Sequence, residues 1–281
     1  MVSDPSPKPF DPENDDAVSA LDELPLWAAP FGLRLLDLVR LRSGMTALDV
    51  GFGTGFPLLE LAMRLGPSSV LRGLDPWPAA HRRTRFKLAE AGLRNVTLHE
   101  GVAEDMPFAD GLFDVVVSNN GYNNVSDRDR AFRETARVCR PSAQLVFTMN
   151  LDGSFRELHD ALRSVLRAEG LGGPATALDE FIAGRRPPLE DVRRSVVAAG
   201  FRVEKVVADE FAFRFADSAA LFAHVFFRRF QVPHLRQLVS PDRQDDVFEE
   251  LGRRLDALVQ TAGELRLSVP FVAVSAQRDS D

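Results

Sequence analysis

Three glycines and two acids stand where a nucleoside-like ligand would need them. Gly51, Gly53 and Gly55 follow a short apolar run and precede a helical pattern. Glycines in such a turn let the backbone approach a ligand closely, and the free N–H groups of the following helix then face it. Asp49 stands two residues before the first glycine, and Asp75 lies 20 residues after the last. At that distance an acid can accept hydrogen bonds from ribose hydroxyls.

Two classes of ligand remain open for this turn. A dinucleotide site uses the pattern Gly-x-Gly-x-x-Gly, with a pyrophosphate at the helix N-terminus. Phe56 occupies the position of the third glycine here. Asp49 would repel a pyrophosphate, whereas it suits a cationic or amino-bearing ligand. The pattern therefore favours the second class. The plainer alternative is a tight turn in which Asp75 only caps a helix.

The elements that must position these residues alternate along the chain. Apolar runs that predict five strands lie at residues 47–50, 69–75, 95–99, 113–118 and 144–149. Helical patterns separate most of them, which predicts right-handed βαβ units and an open, doubly wound α/β sheet. Two later strand-like runs, 201–215 and 265–276, are expected to pair antiparallel at the sheet edge. The result is a seven-stranded, mostly parallel, Rossmann-like sheet with an antiparallel terminal strand.

The chain divides into a tail and one large domain. Residues 1–20 are acidic and rich in proline, and we expect them to be disordered. Residues 21–281 form the domain, and its core for cofactor binding spans 30–150. Helical patterns at about 154–196 and 218–261 are expected to form cap additions above the sheet.

Composition excludes several classes of partner and site. The net charge is −7, but the first 24 residues carry −6 of it. The near-neutral remainder argues against a nucleic-acid surface. A single cysteine, Cys139, excludes an internal disulfide, and the five histidines lack metal-ligand spacing, so we expect no metal. No apolar run is long enough to span a membrane and the acidic N-terminus is unlike a signal peptide, so we expect a cytoplasmic protein.

The segment from Leu48 to Gly55, with the sequence LDVGFGTG, resembles the cofactor motif of class I S-adenosylmethionine-dependent methyltransferases. The likeness continues in order through residues 73–76, 101–108 and 113–118, and it covers about residues 30–150. It implies S-adenosyl-L-methionine as cofactor, with the ribose held by the acid that ends the second strand. The cofactor-binding residues that it implies are Asp49, Gly51, Phe52, Gly53, Gly55, Asp75, Pro76, Ala103, Glu104 and Asn119.

Some residues depart from the family pattern. Phe52 stands where a small residue or cysteine is common. Ser142 and Ala143 replace the usual glycine pair after a proline, far from the expected chemistry. The residue that meets the adenine is uncertain by one position among 103–105. Trp27 and Phe31 are expected either to cover the methionine end of the cofactor or simply to pack in the core.

Two segments are candidates for binding the methyl acceptor. Residues 118–124 lie at and beyond the end of the fourth strand and contain four asparagines and the only tyrosine, Tyr122. Ligands of open α/β sheets bind beyond the carboxyl ends of strands. Residues 221–230 are rich in phenylalanine and arginine, and they suggest an apolar or aromatic acceptor. Tyr122 and His224 are the candidate catalytic residues, and His224 and His234 are the possible general bases. The alternative is that the first segment forms an ordinary turn and that the phenylalanines of the second pack in an ordinary core.

The resemblance implies an enzyme that transfers a methyl group by direct in-line displacement to a small, apolar or aromatic molecule. The alternative is a non-catalytic binding or partner protein built on the same fold, since a fold does not dictate function. A nicotinamide-dependent oxidoreductase is disfavoured by Phe56.

Overall fold

Seven strands form one sheet in the computed structural model, which describes residues 11, 13–22 and 27–280. The strands are β1 (Thr46–Val50), β2 (Val70–Asp75), β3 (Val96–Glu100), β4 (Phe113–Asn119), β5 (Cys139–Asn150), β6 (Phe201–Phe215) and β7 (Leu265–Arg278). Their order is β3-β2-β1-β4-β5-β7-β6. Strands β1 to β5 pair in parallel, and β7 runs antiparallel to β5. The predicted doubly wound sheet with an antiparallel C-terminal strand is therefore confirmed.

Helices connect the strands and fill the last third of the chain. They are α1 (Asp15–Asp22), α2 (Ala28–Leu36), α3 (Leu58–Leu65), α4 (Pro78–Glu90), α5 (Arg128–Val138), α6 (Arg156–Ala168), α7 (Gly172–Arg185), α8 (Leu189–Ala198), α9 (Ser218–Ala223), α10 (Val232–Gln237) and α11 (Gln244–Ala262). Short 3-10 turns occur at Gly121–Asn123 and Pro241–Arg243, and a π-helical turn at Phe227–Gln231. No helix in the described part of the chain combines the length and apolar character that a membrane span requires.

The central strands are buried on both faces, which explains their unbroken apolar sequences. Along β1, Leu48 and Val50 join one core cluster, while Ala47 joins a second cluster. Side chains alternate between the faces of a strand, so Asp49 shares the face of Ala47. This places a carboxylate in β1 two residues before the first glycine of the turn.

The chain separates into two compact units. The sheet unit comprises Asp11–Leu151, Pro187–Asp209 and Phe271–Asp281, and the described part of the helical unit comprises Asp152–Arg186 and Glu210–Pro270. In the helical unit, α6 packs on α7 and α11.

Helix α8 departs from the predicted cap over 154–196. It packs on α5 in the sheet unit, and its Val192 and Val196 are fully buried in a core cluster with sheet residues. Helix α8 therefore belongs to the sheet unit, whereas the helices before it in the predicted cap belong to the helical unit.

The predicted disorder of residues 1–20 is wrong for residues 15–20, which belong to α1. The acids of this segment pair with the basic face of α4. Asp15 bonds with Arg82, and Asp22 bonds with Arg83 and Lys87. The acidic residues of α1 thus form ion pairs with the basic residues of α4, although their charge indicated a solvated tail. Residues 1–10 lie outside the described residues.

Three details of the helices have local causes. Helix α5 ends at Val138, because β5 already begins at Cys139. Within the predicted range 218–261, helix α9 stops at Ala223 and the chain continues as the π-helical turn. Helix α7 lies within the predicted range 154–196, although Gly172, Gly173 and Pro174 carry no helical signal. The fully buried Leu178 gives α7 a place in the helical core.

Candidate functional site

The glycine turn joins β1 to α3 and lies against the segment that follows β4. The N–H of Gly51 donates to the carbonyl of Leu74 at 2.8 Å. The backbone of Gly51 has a φ of +76°, and a Cβ there would lie only 3.0 Å from the Cα of Gly121. Gly51 is therefore required both by its backbone conformation and by the close approach of a neighbouring segment.

Asp75 ends β2 with its carboxylate turned towards the glycine turn. One oxygen accepts from the N–H of Gly53 at 2.8 Å, and the other accepts from the N–H of Trp77 at 2.9 Å. Burial raises the pKa of Asp75 despite these two bonds and the nearby His81. Each carboxylate oxygen has a second lone pair. The acid can therefore accept further hydrogen bonds, as ribose hydroxyls would supply.

Asp49 is the unusual group of the site. Its side chain is fully buried, and neither oxygen has a hydrogen-bond partner among the described residues. Burial and then the charge of Asp75 raise the pKa of Asp49 from 3.8 to about 8, and the nearby backbone N–H of Leu58, which does not form a hydrogen bond with Asp49, opposes the shift only in part. A buried polar group without a partner costs free energy. An amino-bearing ligand at the turn would remove this cost, so these residues fit the expected cofactor.

Helix α4 supports both sides of the site from behind. The Nε2 of His81 lies 2.7 Å from the backbone oxygen of Asp75, and the hydroxyl of Thr84 donates to the carbonyl of Gly53 at 3.1 Å. His81 also packs edge-on against Phe52, with ring centroids 4.8 Å apart. The sequence interpretation missed His81 and Thr84. Their only signal is that two polar residues three positions apart share a helix face.

The turn is also tied to α1. The Asp22 carboxylate accepts from Arg83 at 2.7 Å and from Lys87 at 2.8 Å, and it lies close enough to the turn for the side chain of Thr54 to help lower its pKa. Burial raises the pKa of Asp22, but these hydrogen bonds outweigh burial and hold it below its usual value. The acidic N-terminal segment thus contributes a residue beside the cofactor motif.

The predicted residues beyond the turn are spread over several structural roles. Phe52 is buried, and a Cβ on Gly73 would lie 2.6 Å from its ring. Pro76 is exposed, while Ala103 is buried in a core cluster. Glu104 accepts from the N–H of Ser126 at 2.6 Å and so holds the segment before α5. The residue that meets an adenine stays a prediction.

Asn119 connects three elements at the carboxyl end of β4. Its amide donates to the carbonyl of Ala28 in α2 at 3.0 Å, and its oxygen accepts from the Thr148 hydroxyl in β5 at 2.8 Å. Phe31 of α2 is fully buried and packs edge-on against Phe271, with centroids 4.7 Å apart. The observed role of Phe31 is therefore core packing.

Asn120 has features of a ligand-binding residue that its neighbours lack. Its φ is +60°, and its side chain is 7% exposed. The amide oxygen accepts from the N–H of Asn150, but the amide nitrogen is buried without a partner among the described residues. A strained backbone and an unpaired donor are typical of functional positions. The sequence indicated this loop but not this residue.

Tyr122 lies in the core of the sheet unit. Its side chain is fully buried, and its hydroxyl bonds with the hydroxyl of Thr135 at 2.7 Å. Its ring packs on Phe132 and Phe147, and burial raises the pKa of Tyr122 further above its usual range. This geometry argues against the predicted catalytic role.

His224 lies in the helical unit among phenylalanine rings. Centroids of Phe213, Phe215 and Phe227 lie 5.7, 5.4 and 5.9 Å from the imidazole. Its Nδ1 is buried without a partner among the described residues, and burial lowers the pKa of His224. Burial therefore favours the neutral form of this imidazole. Within the described ranges, no group of three or more His, Cys, Asp or Glu side chains could hold a metal ion.

Comparisons with known proteins agree with this geometry. Residues 48–147 match the family model described as a methyltransferase domain. The chain is 33% identical over 163 residues to a malonyl-[acyl-carrier protein] O-methyltransferase of Geobacter sulfurreducens, covering 58% of each chain. It is 28% identical over 271 residues to a nocamycin O-methyltransferase of Saccharothrix syringae, covering 88% of this chain and 90% of that one. The chain thus spans little more than half of the first relative.

Solved structures share the fold at lower identity. One is a Haemonchus contortus phosphoethanolamine N-methyltransferase in complex with S-adenosyl-L-methionine, with a TM-score of 0.58 and 14% identity, covering 95% of this chain and 57% of that one. An identity this low shows the fold alone. The shared fold, the sheet order and the family match together show that this chain carries a class I S-adenosylmethionine-dependent methyltransferase domain.

Proposed function

We propose that the chain transfers a methyl group from S-adenosyl-L-methionine to a small-molecule acceptor by direct in-line displacement. The observation that carries this proposal is Asp49, a fully buried carboxylate without a partner among the described residues, beside a glycine turn. Asp75 faces the same turn with unused lone pairs. The names of the relatives support the same activity.

Each residue of the site has a proposed part. Asp49 neutralises the amino group of the cofactor, Asp75 accepts from the ribose hydroxyls, and the backbone of Gly51 and Gly53 flanks the methionine part. The unpaired amide of Asn120 donates to a ligand at the carboxyl end of β4. S-adenosyl-L-methionine, when bound, supplies a methyl group that its sulfonium charge already activates. The chain must therefore align an acceptor and exclude water rather than activate the donor.

We infer that the acceptor is apolar or aromatic and that oxygen is the atom methylated. Both relatives described above are named as O-methyltransferases, which supports oxygen. The rings around His224 in the helical unit supply apolar contacts, and in the tautomer that carries its hydrogen on Nε2 the unpartnered Nδ1 can take the proton of an acceptor hydroxyl. A cytoplasmic location is proposed as well, in line with the single, buried Cys139.

Isothermal titration of the full chain with S-adenosyl-L-methionine tests the cofactor assignment. We expect Asp75→Ala to weaken binding by more than about tenfold, because a charge-assisted hydrogen bond contributes about 1.5–3 kcal/mol. Asp129→Ala removes an exposed acid of α5 and serves as the matched control, with unchanged affinity expected. A folded protein that does not bind the cofactor, or equal affinities in the wild type and Asp75→Ala, would contradict the assignment.

Methyl transfer itself needs a second measurement. A panel of hydroxylated aromatic compounds, incubated with the chain and cofactor carrying a labelled methyl group, should yield labelled product for at least one compound. His224→Phe keeps the aromatic surroundings and should lower turnover without changing the affinity for the cofactor. Cofactor binding without transfer of the labelled methyl group to any compound of the panel would favour the non-catalytic alternative.

A further inference from the structure

A cavity lies at the opposite end of β1 from the glycine turn. It is a surface cavity of about 500 Å³ in the sheet unit that is partly open to solvent, next to the residues where β1 and β4 begin. Met45 and Ala143 form an apolar floor, and each is only 4% exposed. This volume lies within the range of about 300–1,000 Å³ that is usual for small-molecule sites. We call it the amino-edge cavity.

Three arginines line the amino-edge cavity. Arg40 pairs with Glu204 at 3.1 Å, and Arg140 pairs with Asp114 at 2.7 Å. Arg42 has no hydrogen bond or ion pair within the described ranges, so all its donors are unused. Asp114 is the one acid in the lining, and its other oxygen accepts from the N–H of Thr46. The lining therefore carries an excess of positive charge.

Ser142 adds an unusual backbone to the lining. It is one of three described residues other than glycine with a positive φ, at +63°. Glycine is favoured in this conformation, and the family that the chain resembles has a glycine pair here. The serine instead places a hydroxyl at the cavity, where it bonds with the Ser280 hydroxyl at 3.0 Å. Strained residues of this kind cluster at functional sites.

We propose that the amino-edge cavity binds a phosphate monoester that carries a compact apolar group. Guanidinium groups match phosphate oxygens with paired hydrogen bonds, and a dianion needs more than one of them. The apolar floor of Met45 and Ala143 suits the organic part of such an ester. Because open α/β sheets hold their reaction site at the carboxyl ends of the strands, this site is separate from the cofactor turn and independent of the proposed function.

Isothermal titration with phenyl phosphate tests the proposal on the full chain. We expect saturable binding of one molecule per chain at millimolar or lower concentration. Arg42→Ala should weaken it by about tenfold, the loss expected for a hydrogen bond to a charged group. Arg64→Ala, which removes a guanidinium paired with Glu60 on α3, is the matched control and should leave binding unchanged. Benzoate, with a single charge, should bind more weakly than phenyl phosphate.

Ser142→Gly provides a second variant that should not unfold the chain, because its backbone conformation already favours glycine. It should weaken phenyl phosphate binding by about twofold to threefold through loss of the hydroxyl. The proposal is overturned if phenyl phosphate does not saturate, if Arg64→Ala weakens binding as much as Arg42→Ala, or if S-adenosyl-L-methionine displaces the phosphate ester. Each variant is also examined by circular dichroism, and a spectrum equal to that of the wild type confirms that it is folded.

Discussion

Binding of an amino-bearing cofactor should release a proton from Asp49. In the free protein the pKa of this carboxyl is about 8, because the group is buried and faces Asp75. At pH 7 about nine chains in ten therefore carry the proton. A cofactor ammonium stabilises the ionised carboxylate, so its arrival must expel that proton. The expected release is about 0.9 proton per site at pH 7.

The same linkage fixes the direction of the pH dependence. Because the free protein holds the proton below about pH 8, affinity should rise with pH. Between pH 6 and pH 7 the dissociation constant should fall by about ninefold. This window lies below the pH at which an α-amino group loses its own charge. The slope therefore reports the protein's carboxyl and not the ligand.

Calorimetry in phosphate and in Tris at pH 7 measures the proton release, since the two buffers differ in ionisation enthalpy. Asp49→Asn should abolish both the release and the pH slope, while Asp75→Asn should retain most of each. An affinity for the wild type that does not change between pH 6 and pH 7 would refute the reasoning. Equal proton release in Asp49→Asn would show that another group titrates.

Three further outcomes follow from contacts in the sheet unit. Asp49→Asn should stabilise the free protein at pH 8 by about 1–3 kcal/mol in urea unfolding, because the raised pKa of Asp49 in the folded state makes its ionisation costly. The gain in stability should shrink towards pH 5. A variant that is less stable than the wild type at pH 8 would contradict this. Tyr122→Phe should cost about 1 kcal/mol through its lost bond with Thr135 and leave kcat unchanged, whereas a large fall in kcat would restore its catalytic role. His81→Phe keeps the ring contact with Phe52 but loses the bond to Asp75, so the cofactor Kd should rise by about threefold to tenfold; titration showing an unaltered Kd would remove His81 from the site.

The sheet was predictable because its signals are local. Strands β1, β2 and β4 begin or end within one residue of the positions that their apolar runs indicate. Buried parallel strands need apolar residues on both faces, and turns between them need glycine, so the pattern is written in the chain itself. The acids that border the turn follow from the same local spacing.

The missed features depend on partners that are distant in sequence. His81 and Thr84 gain their roles only when α4 packs behind the turn. Helix α1 is too short to be stable alone, and its acids are meaningful only beside the basic residues of α4. The burial of Tyr122 could not be predicted from the sequence, because its neighbours in the chain are loop residues, while its ring fills the core.

The backing of the glycine turn by α4 has a consequence for ligand size. Three hydrogen bonds close the gap between the turn and the end of β2: Gly53 to Asp75, Thr84 to Gly53, and His81 to Asp75. His81 and Thr84 sit on one rigid helix, which fixes the spacing of the atoms that they hold. A bulky diphosphate that wedged the turn away from β2 would have to break the first two bonds, at about 1 kcal/mol each. The site therefore selects against such ligands by mechanical stiffness.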